Sequence, residues 1–456
     1  MKRFLWLGFV LFFYLICTGC GDTFRPIIIP NPPTFPDPKA AHTVVSINDN
    51  GTVVPGSAMV IDVSGDTEAS VVNVGLAPVH AVQQSASEVL VVNHSVTGAV
   101  ADSITKLNFS STVIGSTNTI SLPPNSAPNF VATTEANQAY VLMPGYVPPS
   151  VQVVNTISDN LVATIPVGNT PVAMAETPNT QKLYVANQGD NTVSGFNTSD
   201  RSQRPLDLNG FSPFSGPLWV IARSDSQRVY VLNGNSGNAF VSTIDTTASL
   251  GDTVVDIVGS SFVPPAAAYM LYDGHLNRLY IPGGSQLTML DVSQSPPLVL
   301  TGGPIAIPTV QPTSRAAGDP CSGTSTATLN TIAVAALPDG SRAYVGSYYE
   351  NAVGSTEYIC PQVAVIDVAS NTVKSYFAVP GFVAYDAFCS LTRFRLMMAA
   401  AGDSSRAYLA SCDGGMVNII DTASDTYVLN LPAPIGARSG GQFNLPQNPV
   451  FLIAGP

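Results

Sequence analysis

From residue 42 onward the apolar positions fall in short runs, each closed by Gly, Pro, Asn, Asp or Ser. One such run recurs as "VLVVN" (89–93), "AYVLM" (139–143), "LYVAN" (183–187), "VYVLN" (229–233), "LYIPG" (279–283), "AYVGS" (343–347) and "AYLAS" (407–411). The same place in it is taken by Tyr140, Tyr184, Tyr230, Tyr280, Tyr344 and Tyr408. Runs this short, rich in Val and Tyr and bounded by turn residues, predict strands, and no long stretch after residue 20 carries a 3.6-residue apolar period. The segment "TPVAMAETPNTQKLYVANQGDNTVSGFNTSD" holds three of them in order, a (PVAMAE), b (KLYVAN) and c (TVSGFN). "VATIPV" just upstream has the character of a fourth, d. Strand c ends on Asp or Asn at Asp62, Asn108, Asn155, Asn197, Asp245, Asp291, Asp367 and Asp421, at successive gaps of 46, 47, 42, 48, 46, 76 and 54.

Four short strands recurring at such a period are the mark of a β-propeller. A four-stranded antiparallel sheet has two faces to cover and cannot bury both alone, so copies stack around an axis, each covering the next. The acid or amide ending strand c accepts backbone N–H groups further on and starts the turn into d, a structural role. At the chain ends, "QNPVFLIAG" (447–455) reads as an a strand, and "HTVVSIN" (42–48) with "AMVID" (58–62) as b and c. The two ends together complete one blade, which removes the exposed sheet edges. The expectation is an all-β chain with a single propeller over 42–456, of eight blades, or seven if one unit is irregular.

"KLYVANQGDNTVSGFNT" (182–198), "RVYVLNGNSGNAFVSTIDT" (228–246) and "RAYVGS" with "VAVIDV" (342–368) resemble the YVTN-type β-propeller repeat of secreted bacterial proteins, although Ala186 stands where that repeat has Thr. The resemblance implies strand a innermost and d outermost. It implies a shared scaffold rather than one reaction, and it admits a lactonase-like hydrolase.

The first twenty residues differ in kind. "MKR" precedes the apolar "FLWLGFVLFFYLI", and "CTGC" follows, with Thr18-Gly19 before Cys20 as in a lipoprotein signal; Cys17 stands where such signals prefer Leu. Residues 1–20 are read as that signal, Cys20 as the lipid-bearing residue, and the Pro-rich 21–41 as an extended tether. The chain is thus expected in the bacterial cell envelope, periplasm-facing or on the cell surface, with the membrane as one partner through the lipid. Only 11% of residues are charged, with 18 Lys and Arg against 30 Asp and Glu, a net −12. No basic run is present, so a nucleic-acid partner is not expected.

Four cysteines remain after the signal, Cys321, Cys360, Cys389 and Cys412, and an exported chain would pair them. Counting outward from the a–b turn "PDGS" (338–341), Cys321 falls opposite Cys360. Cys389 and Cys412 flank the next a–b hairpin in the same way. The expected bridges are 321–360 and 389–412. No Cys-x-x-Cys lies outside the leader and no His accompanies these residues, so neither a metal nor a cofactor is expected.

Catalytic signatures are missing: no Cys-x-x-Cys-His, Gly-x-Ser-x-Gly, phosphate loop or His-Glu-x-x-His occurs. A propeller site gathers side chains from inner strands and loops around the axis. Candidates there are His80, Glu176, Arg223, Arg393 and Arg395, each read first as a polar residue satisfied within the ring. Trp219 is read as packing between blades, and the long insertion 302–328 as a surface for contacts. The functional expectation is a binding scaffold for a protein or small molecule. The alternatives are the propeller hydrolase, which needs acids, His or a metal at one channel mouth, and a structural cell-surface layer or adhesion component.

Overall fold

The computed structural model describes residues 43–454 apart from 52, 96–101, 111, 135–136, 236, 311–317, 323–327, 381–382 and 439–441. The expected signal, Cys20, the tether and His42 lie outside the described residues. Contacts divide the chain into Met1–Pro32 and Pro33–Pro456, and all described residues belong to the second unit.

Eight antiparallel sheets of four main strands form a β-propeller. Blade 1 takes its inner strand, Asn448–Ala454, from the C-terminus and its outer three, Thr43–Asp49, Ser57–Asp62 and Thr67–Asn73, from the N-terminus. Val44–Ala454 through Asp49–Asn448 pair across this seam, so the ring closes as the sequence predicts. Blades 2 to 8 follow at 78–121, 130–166, 171–204, 217–258, 271–299, 330–378 and 396–432. Blade 4 is cut short: its outer strand is Gln203–Arg204 alone, and the chain then crosses to lay Leu206–Asp207 parallel against the outer strand of blade 5. Outside the ring plan, 435–438 and 442–446 pair as a separate hairpin.

The recurring Tyr residues explain how blades stack. All six are buried, Tyr280, Tyr344 and Tyr408 completely. Several send the hydroxyl into the next blade: Tyr184 donates to Asp252 at 2.8 Å, Tyr344 to Asp425 at 2.6 Å, and Tyr230 reaches the Val292 carbonyl at 3.4 Å. Each ring is buried in the core, and those of Tyr184, Tyr230 and Tyr344 meet a polar partner in the next blade.

Antiparallel pairing puts the a–b and c–d turns at one end of the ring, the turn face, and the b–c and d–a connections at the other, the loop face. Six of the eight residues ending strand c accept backbone N–H groups in the following turn, for example Asp62 from Ser64 at 2.9 Å and Asn155 from Ile157 at 3.0 Å. Asn108 and Asn197 do not: the first lies inside a strand that runs on to Ser110, and the second accepts from Arg204 Nη1 at 2.8 Å instead.

The d–a connections are uneven. Those entering blades 2, 3 and 4 are short, 74–77, 122–129 and 167–170. Those entering blades 5, 6, 7, 8 and 1 span 205–216, 259–270, 300–329, 379–395 and 433–447. All emerge on the loop face. Both disulfides form there: Cys321–Cys360 ties its insertion to the long strand c of blade 7, and Cys389–Cys412 ties its insertion to the start of the b–c connection of blade 8.

Candidate functional site: the loop-face mouth of the channel

Inner strands begin at the loop face, and their first residues bring six rings together. His80 stacks on Phe130 with centroids 3.9 Å apart and leans on Phe451 at 4.4 Å. Phe130 meets Trp219 edge-on at 5.6 Å, and Trp219 meets Tyr269 at 5.0 Å. Tyr269 contacts Phe394 at 5.5 Å, and Phe394 contacts Phe451 at 5.9 Å, which brings the chain of contacts back to blade 1. Trp219 and Phe394 also touch across the bore at 5.9 Å. Edge-to-face pairs like these carry about 0.5–1.5 kcal/mol each beyond their buried area. The collar therefore fixes the mouth rigidly.

One cation stands in it. Arg393, at the end of the insertion before blade 8, reaches across to donate to the carbonyls of Val172 in blade 4 and Leu218 in blade 5, the latter at 3.1 Å. Its guanidinium lies 4.5 Å from the Trp219 centroid, 5.4 Å from Phe130 and 5.8 Å from Phe394. Desolvation lowers its pKa to about 10, still well above neutral pH, so it stays charged, and the side chain is accessible from the mouth. Among the described residues no carboxylate lies within ion-pair distance of it. Beside it opens a cavity of about 230 Å3, lined by Tyr269, Thr331, Tyr348, Thr392, Arg393 and Arg395.

The other sequence candidates divide between the two ends. His80 and Arg395 share the loop face with Arg393, whereas Glu176 and Arg223 lie at the turn face. His80 is buried, its Nδ1 accepts the Val131 N–H at 3.4 Å, and burial, helped by the Arg393 charge, holds its pKa well below the usual range. Arg395 is committed: Nε and Nη2 meet Asp413 at 2.8 and 3.0 Å, Nη1 meets Glu350 at 3.3 Å, and the guanidinium lies over Tyr385. Glu176 accepts the Thr134 N–H at 2.7 Å and links blades 3 and 4. Arg223 pairs with Asp225 and donates to the Val292 carbonyl of blade 6. Of the insertion 302–328, residues 311–317 and 323–327 lie outside the described residues. The remainder is tied to blade 7, with Val310 N–H donating to Gln362 at 2.9 Å and Tyr349 to the Cys321 carbonyl at 2.8 Å.

Sequence reasoning missed a second set of residues. In blades 4, 6, 7 and 8 the cation two places before the Tyr reaches into the next blade, whereas Arg228 of blade 5 pairs with Asp245 of its own blade. Arg342 and Lys374 bind Asp425, Arg406 binds Asp66, and Arg278 donates to Asn371 at 2.8 Å. Lys182 and Arg204 together bind the buried Asp252. Asp66, Asn371 and Asp425 sit four residues after the end of strand c, with φ of 53°, 56° and 55°, where Asn and Asp tolerate the left-handed backbone. The paired periodicity of Arg or Lys before Tyr and Asp or Asn after the turn was the available signal.

No family model matches the chain, and no curated protein sequence does. Solved structures do. Two structures of AztD from Citrobacter koseri superpose with TM-scores of 0.56 and 0.57 at 10% identity, over 90% of this chain and 97% and 96% of theirs. Dihydro-heme d1 dehydrogenase NirN, solved in complex with DHE, superposes with a TM-score of 0.52 at 12% identity, over 89% of this chain and 75% of that one. Hydrazine synthase of Kuenenia stuttgartiensis gives 0.50 at 16% identity, over 76% and 96%. At these identities the likeness is one of fold.

Proposed function

We propose that the protein is an exported propeller, held to a membrane by lipid on Cys20, that binds a small organic anion at the loop-face mouth. The observation that carries this reading is Arg393: a guanidinium without a carboxylate, open to the mouth and packed on aromatic faces. Its bonds to the Val172 and Leu218 carbonyls leave the positive charge without a counter-ion, and an anion entering the mouth would supply one. A carboxylate has the geometry to accept both guanidinium edges. The Tyr269 and Phe394 rings in the cavity wall suit a flat apolar body behind it. At about 230 Å3 the cavity falls below the ~300–1,000 Å3 typical for drug-sized ligands, which favours a small molecule or the tip of a larger one. Two disulfides fit an oxidising compartment.

The hydrolase reading would need an acid or base poised at this mouth. Its His is stacked between two Phe rings with Nδ1 occupied, and its second arginine is neutralised by Asp413, so binding is the better account.

The test uses Trp219, the single tryptophan outside the leader. Its fluorescence is titrated with a panel of aromatic and aliphatic carboxylates and their neutral alcohols. Saturable quenching by at least one carboxylate, lost in Arg393→Met, supports the proposal. No response to any carboxylate, or an equal response from Arg393→Met, removes it.

A further inference from the structure

The turn face carries a second site of different chemistry, created where the repeat departs from its own rule. In blades 1, 3, 7 and 8 the left-handed residue of the c–d turn is Asp66, Asp159, Asn371 and Asp425. In blade 4 it is Arg201, φ 64°. The residue of blade 3 that should supply the facing cation is Gln138, two before Tyr140. The charge at this interface is therefore reversed and unanswered. Among the described residues Arg201 makes no ion pair, and its Nε is shielded from solvent without a hydrogen-bond partner.

Around Arg201 opens a groove of about 980 Å3. It is walled by the a–b and c–d turns of blades 4 and 5. Its lining is hydroxyl and amide groups almost throughout, among them Asn179, Thr180, Ser199, Gln227, Thr247 and Ser249, and no aromatic ring takes part. Within the wall Lys182 and Arg204 share the single carboxylate of Asp252, and Asp225 balances Arg223. With Arg201 added, four cations stand against three carboxylates, Asp252, Asp225 and the exposed Asp200, whose Oδ1 is turned to Ser202, on a chain whose net charge is −12. A concave positive patch on an acidic protein concentrates anions. The groove lacks the apolar walls usual in sites for flat organic ligands, and its many donors and acceptors match a ligand covered in hydroxyls.

We infer that this groove binds an acidic oligosaccharide, with a uronate carboxylate on Arg201 and sugar hydroxyls on the turn side chains. Trigalacturonate is the probe, measured by calorimetry on the full-length protein in detergent. Saturable binding is expected, weakening as NaCl rises. It falls about tenfold or more in Arg201→Asn, which removes the charged donor while keeping a residue suited to the left-handed backbone. Arg201→Lys retains part of it, and Arg393→Met leaves it unchanged, because the two sites lie on opposite faces. The inference is overturned if trigalacturonate fails to bind or binds Arg201→Asn as well as the wild type. Equal affinity for neutral maltotriose, or full displacement by equimolar inorganic phosphate, overturns the ligand class.

Discussion

The two faces of the ring are built on opposite principles. On the turn face most copies agree: in six of eight the acid or amide ending strand c closes the turn, and in blades 1, 3, 7 and 8 a left-handed Asp or Asn follows and takes a cation from the neighbouring blade. On the loop face they disagree. Three connections are short, five are long, and two of the long ones are stapled by disulfides. Agreement among copies is what a ring needs to close with equivalent interfaces, since each blade contributes similar neighbour energy. Disagreement serves no such end, and it gathers where inner strands start and side chains can converge on the axis. Blade 4, where Arg201 takes the place of the left-handed Asp or Asn, is also where an open polar groove appears.

The largest test of this contrast attacks closure. Ending the chain at Pro446 removes Val450, Phe451 and Leu452 from the core and leaves Thr43–Asp49 as an open edge. Cooperative unfolding should be lost and aggregation should follow, read by calorimetry and light scattering. Next comes the inter-blade charge. Asp252→Ala leaves Lys182 and Arg204 buried without a counter-ion and should cost about 3–5 kcal/mol by denaturant unfolding. Because those cations and the Tyr184 hydroxyl hold the Asp252 carboxyl below its usual range, wild-type stability from this site is present at neutral pH. It declines as acid protonates the group, and the mutant lacks that decline.

Replacing Cys389 and Cys412 by Ser should cost about 2–4 kcal/mol. Unlike the Asp252 change, it should also weaken carboxylate binding, because the bridge holds the segment that carries Arg393. Asp49 gives a smaller effect of opposite sign. Burial raises its pKa from 3.8 to about 6, so the folded state binds a proton more tightly than the unfolded chain. Its penalty is absent below about pH 4 and complete above about pH 6. Asp49→Asn should therefore stabilise by about 1–3 kcal/mol at pH 7.5 and by nothing at pH 3.5, measured as paired melts. The smallest change, Asn155→Ala, loses the two N–H groups held in one turn and should cost about 1 kcal/mol.

Much of the scaffold could be read from residues alone, because it depends on near-neighbour chemistry. Turn residues bound each strand, the Tyr position sets the register, and the terminal strands match the pieces missing from one blade. The disulfide partners followed from the same register. What escaped depends on neighbours far apart in the chain. Arg406 meets Asp66 across the seam that joins the two ends, and nothing local to either residue announces the other. The short outer strand of blade 4 was hidden for a related reason: "SQRPLDLNG" has the polarity of any edge strand, and Pro205 diverts it after two residues. At the mouth, Arg393 and Arg395 looked alike as candidates two residues apart. Asp413, eighteen residues beyond Arg395, neutralises that arginine, while Arg393 has no carboxylate among the described residues.

The most direct test measures the melting temperature of Arg393→Met beside its carboxylate response. If the mouth is a binding site, the melt should move by no more than about 2 °C, since 1 kcal/mol corresponds to about that shift in a domain this large, while binding disappears. A drop of many degrees, in a protein whose wild type quenches with no carboxylate, would show that Arg393 is a staple across the ring, and the loop face would then be scaffold as well.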